Sequence, residues 1–157
     1  MRLRLQHEIA VDVRALMAFG RAAAHRKASS AVAELVGVSW PELALDLLPD
    51  WDDDWLLDDR ERVRQLRLHA LESMTEQLSL LGHHVAAIEA ALAAVAAEPL
   101  RETAHAALIR AHLAEGNRSE ALRQFHRCQN LLAVGLAIEP SETVRRLVAI
   151  PPVASGA

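Results

Sequence analysis

Tyrosine is absent from this 157-residue chain and aromatic residues make up only 3% of it, so a core built on large rings is excluded. Hydrophobic residues still reach 52%, dominated by alanine and leucine, a composition that favours closely packed helices in one domain of ordinary size. The single cysteine, Cys128, rules out an internal disulfide and suits a reducing cytosol. No apolar run approaches the roughly 18 to 20 residues of a membrane span. The opening "MRLRLQHEIA" is too short and too charged for a signal-peptide core. The expectation is a soluble, cytoplasmic protein with no membrane contact. A Gly-rich phosphate loop, a Ser/His/Asp arrangement and paired catalytic carboxylates are all missing, so neither an enzyme nor a cofactor is expected.

What charge there is lies unevenly. Residues 1–27 hold six Lys/Arg against two Asp/Glu, residues 28–61 one against ten, and residues 62–157 ten against nine, for a net charge of -4. Such a chain lacks the basic footprint of an autonomous nucleic-acid binder, and only its N-terminal stretch is basic.

The acidic maximum is "LLPDWDDDWLLDDRE", residues 47–61, with six aspartates, a glutamate and two tryptophans. Counted from Asp50, its carboxylates Asp50, Asp52, Asp54, Asp58 and Glu61 occupy side-chain positions of a twelve-residue calcium loop. That loop requires glycine at its sixth position, where this chain has Trp55, and Pro49 stands where the entering helix should end. No metal is expected. Asp58 and Glu61 have the spacing of an N-cap and its N3 partner, and acid is favourable at a helix start. Trp51 and Trp55 are expected to bury against flanking helices and pin the segment; Asp52 and Asp53 have no comparable account.

From Asp59 onward the chain reads as helices separated by short punctuation: a long segment to Gly82, "VAAIEAALAAVAAE" before Pro99, and "RETAHAALIRAHLAE" before Gly116. In the first, Val63, Leu66, Ala70, Met74, Leu78 and Leu81 recur at spacings of three and four and predict the core face. Gly82 and Gly116 are 34 residues apart, and aligning on them pairs Ala87 with Ala121, Ala94 with Cys128, Met74 with Leu108 and Leu78 with His112. This register resembles the tetratricopeptide repeat, with units at residues 68–101 and 102–135. The fold implied is all-α: a stack of antiparallel helical hairpins, about three of them, plus a C-terminal capping helix. Two hairpins bury too little, so "DVRALMAFGRAAAHR", "SSAVAELVG" and "SWPELALDLL" are expected to add another layer, with Ser39, Pro41 and Glu42 forming a helix start. Ser141 after Pro140 is placed to cap the last helix, and residues 151–157 read as a frayed tail.

The histidines form no zinc pattern: His83 and His84 are adjacent, His105 and His112 seven apart, and His126 two from Cys128. Cys128 sits at a small-residue packing position, which predicts a buried, inert thiol.

Two stretches, residues 47–72 and 96–141, carry a more specific likeness. Their Trp51, Asp54-Trp55, Glu61-Arg62, Arg67, Glu98-Pro99, Arg101-Glu102, His105, Gly116, Ala121-Leu122 and Glu139-Pro140-Ser141 make the chain similar to the bacterial transcriptional activator domain of the Streptomyces antibiotic regulatory protein family. The resemblance covers roughly residues 3–148, with residues 28–46 departing from the usual pattern. It implies a winged-helix DNA-binding domain ahead of a junction at residues 1–11, an activator domain at 12–150 and a tail at 151–157. It also implies protein partners, either RNA polymerase components or a regulator, self-association as a homodimer included, in the regulation of secondary metabolism. DNA would then be reached only through an attached or partner domain. The alternative is a stand-alone tetratricopeptide-like adaptor or ligand sensor. Candidate partner-binding residues are Arg60, Arg64 and Arg67, which present charge to a partner or form a solvated face, together with Leu71, Thr75, His105, Ile109 and His112, which lie on a concave surface or pack. Gly82, Ala87, Pro99, Gly116, Ala121 and Pro140 are expected to be architectural.

Overall fold

A computed structural model describes residues 57–149. These form five helices and, among the described residues, no strand: α1 Leu57–Leu80, α2 His84–Ala97, α3 Glu102–Glu115, α4 Arg118–Leu136 and α5 Glu142–Val148. The extra N-terminal layer, the Ser39/Pro41/Glu42 helix start, Trp51, Trp55, the 1–11 junction and the 151–157 tail lie outside the described residues.

Each helix packs on the next, and α1 also packs on α3, while α5 closes the end against α3 and α4. The described residues therefore form two helical hairpins, α1/α2 and α3/α4, stacked so that their first helices are neighbours, with α5 against the second. The 34-residue register is visible in the backbone. Gly82 (φ 79°) and Gly116 (φ 88°) both take the left-handed conformation that ends the first helix of a hairpin. The capping bonds match as well: His83 N–H donates to Leu78 O and Gly82 N–H to Ser79 O, and Asn117 N–H donates to His112 O and Gly116 N–H to Leu113 O. Asn117 then caps α4 by accepting from Glu120 N–H through its side chain. A third such turn follows α4 at Ala137 (φ 55°), where the geometry asks for glycine and the chain supplies alanine.

Alanine makes the stacking close. Ala87, Ala90, Ala91 and Ala94 of α2 are all 0% exposed, and they meet Leu71, Met74 and Leu78 of α1 and Ala104, Leu108 and Ala111 of α3. Small side chains on the middle helix let both neighbours approach, so a modest number of large residues fills the core. A second cluster joins Ala106 and Ile109 of α3 to Ala121 of α4 and Val144 of α5, with Phe125 and Leu147 packed against it. The tail of α4 docks on the α2–α3 turn, where a Cβ built on Gly135 would stand 2.8 Å from Leu100 Cδ2.

Two details differ from the sequence reading. Of the stripe counted in the sequence, Ala70, Met74 and Leu78 are buried whereas Leu66 and Leu81 are 40% and 48% exposed, and the buried face also takes in Arg67, Leu68, Leu71 and Thr75. It is broader than the counted stripe because two helices, α2 and α3, pack against α1. Leu57 is already helical, so Asp58 lies inside the first turn of α1 rather than at its cap. Glu61 accepts bonds from Arg64 and Gln65, and these two partners hold its carboxyl down at about 2 from 4.5.

Candidate functional site

The turn between the hairpins is anchored on α1 by charged groups. Arg64 donates to Glu61 through Nε (2.8 Å) and Nη2 (2.9 Å), and to Glu98 through Nη1. Across the same turn Arg101 donates through Nε to Glu72 (2.7 Å) and through Nη1 to Gln65 (3.1 Å), and Thr103 Oγ1 donates to Glu72 (2.6 Å). Arg101 and Glu72 are mostly buried, at 17% and 16% side-chain exposure, so this pair is screened less than a surface ion pair. At the other end of the stack Glu102 accepts from Ser141 N–H (2.8 Å), tying α3 to the start of α5, and Pro140 is fully buried.

His105, 1% exposed, sits between the α2–α3 turn and α4. Its Nε2 is 2.8 Å from Pro99 O, and its Nδ1 is 2.6 Å from Gln124 Nε2. A carbonyl only accepts, so Nε2 carries the proton; the neutral ring then accepts at Nδ1 from the Gln124 amide. Burial, first of all, pushes the His105 pKa down; Arg127 adds to this, while the bond to Pro99 and the charge of Glu102 oppose it. Burial likewise raises the Cys128 thiol to about 11, with Glu102 contributing. Such a thiol is overwhelmingly protonated at neutral pH and makes a poor nucleophile.

The site residues read from the sequence divide. Leu71 and Ile109 are 0% exposed and belong to the two core clusters, so packing, one of the two roles left open for them, is the one they fill. His105 is the buried relay just described, and Arg67 is 3% exposed. None of these four presents a surface. Arg60 is half-buried near the start of α1, and Arg64 holds the turn. His112 is mostly buried, at 14% side-chain exposure, beside Glu115. Of the group, only Thr75 lines an open depression, and its hydroxyl donates to Leu71 O (2.9 Å).

That depression is a groove of about 470 Å³ between α1 and α3. One wall is His69, Ser73, Glu76 and Leu80; the other is Thr103, Ala107, Arg110 and Ala114; Glu72, Thr75 and Ser79 complete it. The walls are repeat equivalents, each α3 residue standing 34 positions after its α1 counterpart. The sequence already held the information: the face one to two residues away from Leu71/Thr75 and His105/Ile109 is the open one. Two residues along a helix turn the side chain by about 200°. A shift of one or two positions along each helix therefore separates the packing face from the open one.

Among the described residues no group of His, Cys, Asp and Glu is arranged to hold a metal, and no helix is long and apolar enough to cross a membrane. Neither a curated protein nor a solved structure matches the chain. The sequence profile of the bacterial transcriptional activator domain, however, matches residues 5–149, nearly the whole chain. Several residues behind that likeness (Glu98, Arg101, Glu102, His105, Pro140 and Ser141) join hairpin to hairpin or stack to cap, and Gly116 makes the turn within the second hairpin. On that match and that architecture, this all-α chain belongs to the bacterial transcriptional activator domain family, a family of non-catalytic regulatory domains.

Proposed function

We propose that the chain is the protein-binding part of a transcription activator and that the α1–α3 groove receives a segment of its partner, an RNA polymerase component or a regulator, itself included. Residues 12–150 form the interaction domain in this reading, and residues 1–11 the junction from a DNA-binding domain that supplies the contact with DNA. The observation that carries it is the groove: two repeat-equivalent helix faces lie side by side, lined by hydroxyls, small residues and charge, while the family's signature side chains are spent on holding those helices in place. A chain of net charge -4 with this architecture is suited to protein rather than to nucleic acid.

The test joins the full chain to an unrelated DNA-binding domain and measures transcription from that domain's operator. Activation is expected, and filling the groove with Ser73→Trp plus Ala114→Trp should abolish it while the unfolding temperature stays within a few degrees. A fusion that binds its operator without activating, or a filled groove that activates as well as the open one, sinks the reading.

A further inference from the structure

The groove carries two charged side chains that the fold does not use. Arg110 on α3 and Glu76 on α1 are exposed, and neither has an ion pair or hydrogen bond among the described residues. The sequence explains why. One turn away from Arg110 on its own helix stand Ala106, Ala107, Leu113 and Ala114, none able to accept; one turn before Glu76 stands Glu72, of the same sign and already bonded to Arg101 and Thr103. Arg64, Arg123, Arg145 and Arg146, by comparison, each have a glutamate three or four residues away and pair with it, whereas Arg62, Arg127 and Glu89 are exposed and unpaired among the described residues like Arg110 and Glu76 but do not line the groove. Glu76 and Arg110 are themselves 34 residues apart, the same position in successive repeats, so they stand at one height on opposite walls without closing on each other. Ser79 also lines the groove, and its Oγ is buried with no hydrogen-bond partner among the described residues.

We infer that the groove binds a protein segment carrying one acidic and one basic side chain within a single helical turn, the acid against Arg110 and the base against Glu76. This rests on the proposed protein-binding role and specifies its partner's chemistry. With Glu72 neutralised by Arg101, the groove's remaining charges sum to zero and are separated across its width. A purely acidic or purely basic segment would satisfy one wall and be repelled by the other, so the arrangement selects against both.

The experiment probes the full chain with an array of twelve-residue alanine/leucine peptides in which one glutamate and one arginine are placed at every pair of positions, with glutamate-only, arginine-only and uncharged peptides beside them. Binding is expected to concentrate on peptides with both charges within one turn, about ten-fold above the single-charge sets. Arg110→Glu should move the preference to peptides carrying two basic residues, and Glu76→Arg to peptides carrying two acidic ones, with circular dichroism unchanged in both. Binding that ignores charge, preferences unmoved by either reversal, or no binding to any peptide would overturn the inference. Activation by the fused full chain is scored separately, so a functional groove with different chemistry is distinguishable from no functional groove.

Discussion

Lowering the pH from 7.5 to 5.5 should destabilise this domain through one residue, His105. Its ring is 1% exposed and is held neutral by geometry: Nε2 donates to Pro99 O, and Nδ1 accepts from the Gln124 amide. Protonation would set an N–H at Nδ1 against an N–H of Gln124 and bury a cation near Arg127. The folded pKa therefore lies below the unfolded value of 6.5. Above pH 6.5 neither state binds the proton, and the relay's full contribution is present. As pH falls through 6.5 the unfolded chain takes up the proton and the folded chain does not, so stability declines by up to about 1.4 kcal/mol per pH unit until the depressed folded pKa is reached. The assay is urea unfolding at pH 7.5, 6.5 and 5.5 for the unaltered chain and for His105→Gln, whose amide does not titrate. The other seven histidines are common to both, so they cancel in the difference. The unaltered chain should lose about 1 kcal/mol more than the variant between pH 6.5 and 5.5. Equal losses would refute a buried neutral histidine, whatever the variant costs at pH 7.5.

Four further outcomes are expected from the same structure. Ala137→Gly relieves a left-handed alanine at the end of α4 and should stabilise by about 0.5–1 kcal/mol, read as a higher urea midpoint at unchanged slope; Gly116→Ala should cost about 1 kcal/mol, since its φ of 88° is strained for any side chain although the space beside it is open. Arg101→Ala leaves the mostly buried Glu72 with the Thr103 hydroxyl and the His69 ring 3.8 Å away, and should cost about 2–3 kcal/mol, and Arg101→Lys should recover only part of it because one ammonium cannot span Glu72 and Gln65 as the guanidinium fork does. Cys128, buried with its pKa raised to about 11, should react with a thiol reagent only at the rate of unfolding, so fast labelling in native buffer at neutral pH would contradict its placement.

The repeat was legible because it is written in residue size and in glycine. Gly82 and Gly116 mark turns that demand a left-handed residue, and Ala87/Ala121 and Ala94/Cys128 mark places where only a small side chain allows the helices to close; all four of these packing residues are 0% exposed. Such demands are local and survive in a one-dimensional pattern. The orientation of α1 was not legible in the same way. Its burial is set by α2 and α3 together, and Leu66 fits the apolar spacing as well as Leu68 does while facing out. The buried charge pairs were also beyond a sequence count, because Arg101 and Glu72 are 29 residues apart and meet only once the hairpins stack. His105 could be singled out but not assigned: a histidine on the first helix of a repeat has the same spacing whether it faces a groove or a relay.

The division between these two faces of α3 bears on where function resides. His105 and Ile109 point into the stack, while Thr103, Ala107, Arg110 and Ala114 point into the groove. Arg101 and Glu72 hold the start of α3 against α1, while Glu102 and Ser141 tie it to α5. Once that relation is fixed, two positions 34 residues apart in the chain must stand opposite each other, and whatever side chains occupy them become a pair of walls. If the groove binds as proposed, the anchoring residues act without touching the bound segment: loosening Arg101–Glu72 should weaken binding of every segment alike, whereas changing Glu76 or Arg110 should alter which segment is preferred. In that reading the strength of binding is written in the hairpin junctions and its selectivity in the open faces between them.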